Sequence, residues 1–268
     1  MMKSKRGESA AGSAGAWDFG AEAEGLVRRG AAAYFERGEA QILRHVRWMR
    51  GERRECGRTA DKLVGLAEGI REALLSWGIP DDHLCPGEIE VESYFFDRRR
   101  WDFAVVSAEG RPVALIEFKC AGGRLGHGRV RLDVETVAAM CLDSLLAEKK
   151  ARSTFSRTRI FRGAIFVTPG FRRPGALRNE SLRMAGERAG TERLMKAADR
   201  LLASGLLDAV VALHLDGTSF APVSDALSPP VFFRRLNAFL QSLPASTWRG
   251  AAPRGGEPAA PPTRAESA

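Results

Sequence analysis

Apolar residues in the first part of the chain recur at helical intervals. GAEAEGLVRRGAAAYFERGEAQILRHVRWMRGERR carries one such stripe, and Thr59 followed by ADKLVGLAEGIREALLSWG reads as a second, capped helix stopped by Gly78 and Pro80. The period then shortens. IEVESYFF, RRWDFAVVS and PVALIEFKC alternate or carry β-branched residues, and the Glu109-Gly110-Arg111 turn between the last two predicts a meander of strands. A helix from about Asp133 to Lys150 follows, then a buried-type strand GAIFVTP, a charged helix around Ser181–Ser204, a strand DAVVALHL and a closing helix PVFFRRLNAFLQSL. Strands and helices alternating in this way build crossovers. The expected class is therefore α/β, a central mixed β-sheet flanked by α-helices, with extra helices at the front.

Residues 1–16 are small and polar, and residues 244–268 are rich in Pro, Gly and Ala, which predicts disordered tails on either side of one domain over residues 17–243. No internal repeat is present. The N-terminus has no apolar core that would make a signal peptide, and no stretch approaches the ~18 apolar residues of a membrane span. Cys56, Cys85, Cys120 and Cys141 form no C-x-x-C pair and suit a reducing compartment. These features predict a cytoplasmic protein with no membrane partner.

Charge adds a further constraint. The 268 residues carry a formal charge of +8, and 44% are hydrophobic, enough for a real core. The basic residues are 34 Arg and 7 Lys. Arginine's planar fork suits phosphates and guanine edges, so a polyanionic partner fits; the arginine bias of a GC-rich coding sequence fits equally.

The chemistry concentrates in RRRWDFAVVSAEGRPVALIEFKC. Asp102 opens one predicted strand. Glu117 and Lys119 lie two apart near the end of the next, on one face of the sheet, and a turn at Ala108–Gly110 brings Asp102 beside them. A lysine flanked by Ile116, Phe118 and Cys120 is out of place in a buried strand unless paired or bound to an ion. Two adjacent carboxylates favour a hard divalent cation such as Mg²⁺, which accepts one or two carboxylates with water and phosphate oxygens completing its shell. A neighbouring lysine can orient a water or neutralise charge developing on a phosphate, so the reaction class that needs these parts is phosphodiester hydrolysis. The spacing alone also fits an ordinary solvent-facing charge pair, with Asp102 as a strand-start cap.

The D-(x)14-E-x-K arrangement resembles the PD-(D/E)XK nucleases, and RRRWDFAVV…GRPVALIEFKCAGGRLG is similar to the XhoI-type Type II restriction endonucleases. The likeness spans about residues 59–240, including Asp61-Lys-Leu-Val and LLDAVVALHL, and is most specific between residues 98 and 137. It implies a homodimeric, Mg²⁺-dependent endonuclease that cuts both strands of a short palindromic site in double-stranded DNA, with a cognate methyltransferase in the same system. Asp102 and Glu117 would hold the metal, and Lys119 would position or activate the attacking water. After the catalytic strand the family has an Asn-rich run, where this chain has LGHGRVRLDVE.

That departure leaves a glycine-rich basic loop in which Arg124, His127, Arg129 and Arg131 are candidates for DNA contact. Glu135 is a candidate accessory acid for the metal shell, or simply a favourable charge in the first turn of a helix. Glu90 and Glu92 read as a solvated face, Trp48 and Trp101 as core aromatics, and His45, His83 and His214 have no ligand spacing. Two rival functions remain: a PD-(D/E)XK nuclease of repair or recombination acting on structured DNA, and a non-catalytic DNA-binding protein.

Overall fold

The computed structural model describes residues 19–31, 64–120, 127–152, 159–168, 180–216 and 219–249. In chain order, helix α1 covers residues 21–31 and α2 covers Val64–Ser76. The strands β1 (Leu84–Glu92), β2 (Arg98–Val106) and β3 (Pro112–Cys120) come next. Then follow α3 (His127–Arg152), β4 (Phe161–Thr168), α4 (Glu180–Ala203), β5 (Ala209–Asp216), β6 (Ser219–Pro222) and α5 (Pro229–Gln241). The strands form one six-stranded sheet in the order β1-β2-β3-β4-β5-β6. The β3–β4 and β4–β5 pairs are parallel and the others antiparallel, so the α/β class with a mixed central sheet holds.

Parallel neighbours need crossovers, and α3 and α4 supply them. Both cover one face: Val137, Met140 and Cys141 of α3 and Leu194, Ala198 and Leu201 of α4 share a core with Leu115, Ala164 and Val210 of the sheet. The opposite face packs against α1, α2 and α5 through Phe103, Ile116, Ile165 and Val211. Covered on both sides, β5 reads as a continuous apolar run, Ala209 to Leu213, all buried.

The helices follow their apolar spacing. In α5 the buried Phe232, Phe233, Leu236 and Leu240 make one stripe, and Pro229 sits in the first turn, where its missing N–H is harmless. Leu66, Ala67, Ile70, Ala73 and Leu74 do the same in α2. The α1–α2 crossing is closer than side chains would permit. A Cβ on Gly30 would lie 2.7 Å from the Leu66 side chain, and one on Gly69 would lie 2.6 Å from that of Leu26.

Asp102, expected to open its strand, stands in the middle of β2, and four boundaries differ from those the sequence predicts. β1 begins at Leu84 rather than Ile89, because a bulge between Pro86 and Ile89 absorbs Gly87 at φ +97°, a conformation only glycine adopts readily. Ser93–Phe96 form a turn instead of extending the strand, since the Asp143 carboxylate on α3 takes the Tyr94 and Phe95 amides at 2.9 Å each. α3 begins at His127, earlier than Asp133, so the second half of the predicted glycine-rich loop is helical. The predicted C-terminal tail begins too early: residues 244–249 pack on the domain. There the Ala108 amide donates to the Thr247 carbonyl at 2.9 Å, and Trp248 meets the buried His83 ring edge-on, centroids 5.5 Å apart. β6 was not anticipated. Residues 1–16, and 250–268 of the predicted C-terminal tail, lie outside the described residues. Among the described residues, no helix is long and apolar enough to cross a membrane.

On the α3 side of β4, Arg162 is only 2% exposed. Its Nη2 pairs with Glu148, its Nε donates to Ser144 Oγ at 3.2 Å, and its Nη1 donates to the Ile160 carbonyl at 3.2 Å. Asp208 accepts the Arg162 backbone N–H at 2.8 Å, which ties the start of β4 to the start of β5. Burial pulls the guanidinium pKa below its ordinary value. Removing one member strands a buried charge, so Arg162→Met is expected to lose about 3–5 kcal/mol in urea unfolding, with most of it restored by pairing it with Glu148→Leu. A loss of about 1 kcal/mol or less would mean the pair behaves as a solvated one.

Candidate active site

The β2–β3 backbone ladder runs from Val106↔Pro112 to Phe103↔Ile116. At the next step a side chain takes over: the Phe118 amide donates to Asp102 Oδ2 at 2.7 Å. That bond fixes the Asp102 carboxylate against β3, next to Glu117. On the other side β3 pairs with β4, Glu117 opposite Ala164 and Lys119 opposite Phe166. Glu117 and Lys119 alternate with Ile116 and Phe118, which enter the core on the α5 side, so the two charged residues belong to the α3 face.

Glu117 is 5% exposed. Its Oε1 accepts from Lys119 Nζ, whose side chain is 22% exposed, and its Oε2 is buried with no hydrogen-bond partner among the described residues. Leaving a carboxylate oxygen unpaired in the interior is unfavourable, and the carboxyl responds. Burial pushes its pKa from the usual 4.5 up to about 7; the adjacent Asp102 carboxylate acts in the same direction, while Lys119 and the Asp102 backbone oppose. Cys141 of α3 is close enough to feel both Glu117 and Arg162, and burial pushes its thiol up to about 12, so it is an inert core group.

The donor set fits a hard cation. Two carboxylates converge, one with an unsatisfied buried oxygen, and Mg²⁺ asks for no more than one or two protein carboxylates when water and phosphate complete its shell. Among the described residues, no group of three or more His, Cys, Asp or Glu side chains forms a ligand cluster.

The structure thus brings Asp102, Glu117 and Lys119 together. It does not bring Glu135 to them. Glu135 is on the exposed face of α3, its Oε1 taking the Nε of Arg131 at 2.6 Å, so these two candidates neutralise each other in solvent. The buried acid of this turn is Asp133, 7% exposed. The sequence signal for it was present: Asp133, Val137, Met140, Cys141, Ser144 and Glu148 recur at helical spacing and all are buried. Arg124 lies outside the described residues, as do the side chains of His127 and Arg129, whose backbone belongs to the first turn of α3. Asp61, His45 and Trp48 also lie outside them. Trp101 is a core residue, 2% exposed, and Glu90 is paired with Arg98 and Arg100 at 3.7 and 3.2 Å.

No family model matches this chain, and no curated protein and no solved structure matches it either.

The Glu117 carboxyl gives a pH signature. Because its pKa is raised in the folded state, the native protein binds more protons than the unfolded chain between about 4.5 and about 7. Its contribution to stability is complete below 4.5 and is lost as pH rises through about 7. Urea unfolding across this range should show Glu117→Gln gaining on the wild type as pH rises. A stability difference that stays flat with pH would mean that Glu117 is ionised throughout.

Proposed function

We propose that the protein is a Mg²⁺-dependent endonuclease of the PD-(D/E)XK type, and that it hydrolyses phosphodiester bonds in double-stranded DNA in the manner of a Type II restriction enzyme. The observation that carries this reading is the buried, unpartnered Glu117 Oε2 beside Asp102, with Lys119 held on the other oxygen. An oxygen left unsatisfied in a dry setting is a poor structural choice and a good ligand. Under this reading the β2–β3 hairpin and the parallel β4 are the core of the nuclease fold, with α3 as its covering helix.

Asp102 and Glu117 would hold the cation, which when bound supplies a nucleophilic water at neutral pH and offsets charge on the phosphate. The remaining work belongs to the chain. The Phe118 amide fixes the direction of the Asp102 carboxylate. Glu117 must lose its proton to act as a ligand, and Lys119 favours that loss through its bond to Oε1. With Glu117 otherwise engaged, Lys119 Nζ can hydrogen-bond the attacking water or a phosphate oxygen and meet the negative charge that develops there. The basic surplus of the chain gathers phosphates around a site that is itself acidic. A palindromic site calls for a two-fold partner, hence a homodimer, and host DNA needs a cognate methyltransferase for protection.

Purified protein incubated with unmethylated plasmid should give discrete fragments with Mg²⁺ and none with EDTA. Glu117→Ala and Lys119→Ala should each lower the rate by at least ~10²-fold. Undiminished cleavage in both variants would overturn the site assignment, and Mg²⁺-dependent cutting confined to branched substrates would move the protein to the structured-DNA class.

A further inference from the structure

The turn that joins β1 to β2 holds three aromatic rings in succession out to solvent: Tyr94, Phe95 and Phe96 are 48%, 59% and 63% exposed. Each ring forgoes burial that the core could have provided. The turn is nevertheless built firmly. Asp143 of α3, 1% exposed, accepts the Ser93 hydroxyl at 2.7 Å and the Tyr94 and Phe95 amides at 2.9 Å each. Ser93 Oγ in turn accepts the Phe96 amide at 3.0 Å. A buried carboxylate is devoted to holding solvent-exposed rings in place, which is preorganisation for a contact rather than for the core.

The rings are not stacked on one another. Tyr94 and Phe95 meet edge-on at 87°, centroids 5.1 Å apart, so they do not cover each other as a stack would. The Arg99 guanidinium lies 5.7 Å from the Phe96 centroid, and the flanking Arg98 and Arg100, which share the Glu90 carboxylate, are 70% and 66% exposed. The turn itself, Ser93 to Asp97, contributes no aliphatic side chain. Exposed rings with three arginines next along the chain, and no aliphatic side chain in the turn, suit π-faced, anionic polymers better than the surface of a protein.

We propose that Tyr94, Phe95 and Phe96 form a base-stacking tip that takes up unstacked nucleobases of the DNA while the adjoining arginines meet its phosphates. The DNA identity of the partner rests on the nuclease reading. Phe96 lies in the turn before β2 begins at Arg98, and Asp102 is four residues along that strand, so ~13 Å of strand at ~3.3 Å per residue separates the base of the tip from the site. The occupant is an unpaired base in a single strand or a step opened in a duplex, and the two are separable.

The test compares Phe95→Ala/Phe96→Ala with its parent, both carrying Lys119→Ala so that DNA stays intact. The substituted rings are more than half exposed, so the fold is retained, as an unchanged unfolding midpoint will verify. Anisotropy of fluorescein-labelled oligo-dT should show the double variant binding ~10-fold or more weakly, with the salt slope unchanged because phosphate contacts persist. A 2-aminopurine duplex that brightens with the parent and not with the variant identifies an opened step; weakening on oligo-dT alone identifies a single strand. Absence of oligo-dT binding by the parent, or affinities of the two proteins within about twofold of each other, overturns the proposal. So does a weakening that accompanies conversion of a dimer to a monomer in sedimentation, since that assigns the rings to a second copy. Plasmid cleavage by the Lys119-intact protein reports on the nuclease reading separately: no cleavage with the oligo-dT loss intact removes that reading and leaves the tip, and the converse removes only the tip.

Discussion

The bond from the Phe118 amide to the Asp102 carboxylate decides how β2 leaves β3, and much of the molecule follows from it. A backbone amide in the middle of a sheet needs an acceptor. With a side chain in that role, the carboxylate cannot turn away from Glu117 without orphaning the amide. The two acids are therefore held together by a backbone requirement, although burial and, after it, their mutual repulsion raise the Glu117 pKa. The repulsion is a constraint built into the hairpin.

The α3 face of the sheet carries an unusual share of charge. Glu117, Asp133, Asp143, Glu148 and Arg162 are all less than about a tenth exposed, and a buried charge is stable only with partners. Arg162 and Glu148 neutralise each other, and Asp143 is saturated by a hydroxyl and two amides. Glu117 differs in kind, since one of its oxygens is left over. The contrast between satisfied acids and an unsatisfied one on the same face separates architecture from candidate chemistry more sharply than the number of carboxylates does.

The sequence made the elements legible wherever periodicity was strong: α5, β4, β5 and the β2–β3 hairpin lie close to their predicted positions. The Asp102, Glu117 and Lys119 grouping was legible too, because a hairpin's register follows from its turn. Long-range capture was not. Nothing local to Ser93–Phe96 announces that a carboxylate some 50 residues later will end the strand there. The helical start at His127 was hidden by glycines, which suggest a loop whatever their neighbours do. Packing of Trp248 against His83 was hidden by the composition of the residues that follow it. Asp133 belongs to a stripe that the helical spacing of α3 already carries, whereas Glu135 lies off that stripe in solvent.

The outer strands have a consequence for how two copies of the chain can meet. β1 is an edge strand, and its Pro86 lacks a donor while the bulge at Gly87 twists the backbone out of line. The opposite edge, β6, is four residues long. Neither edge offers a straight run of unpaired amides and carbonyls, so both resist the edge-to-edge joining that turns single sheets into extended ones. A symmetric pair of these molecules would have to be made through helices, loops or side chains, leaving each sheet closed to its twin.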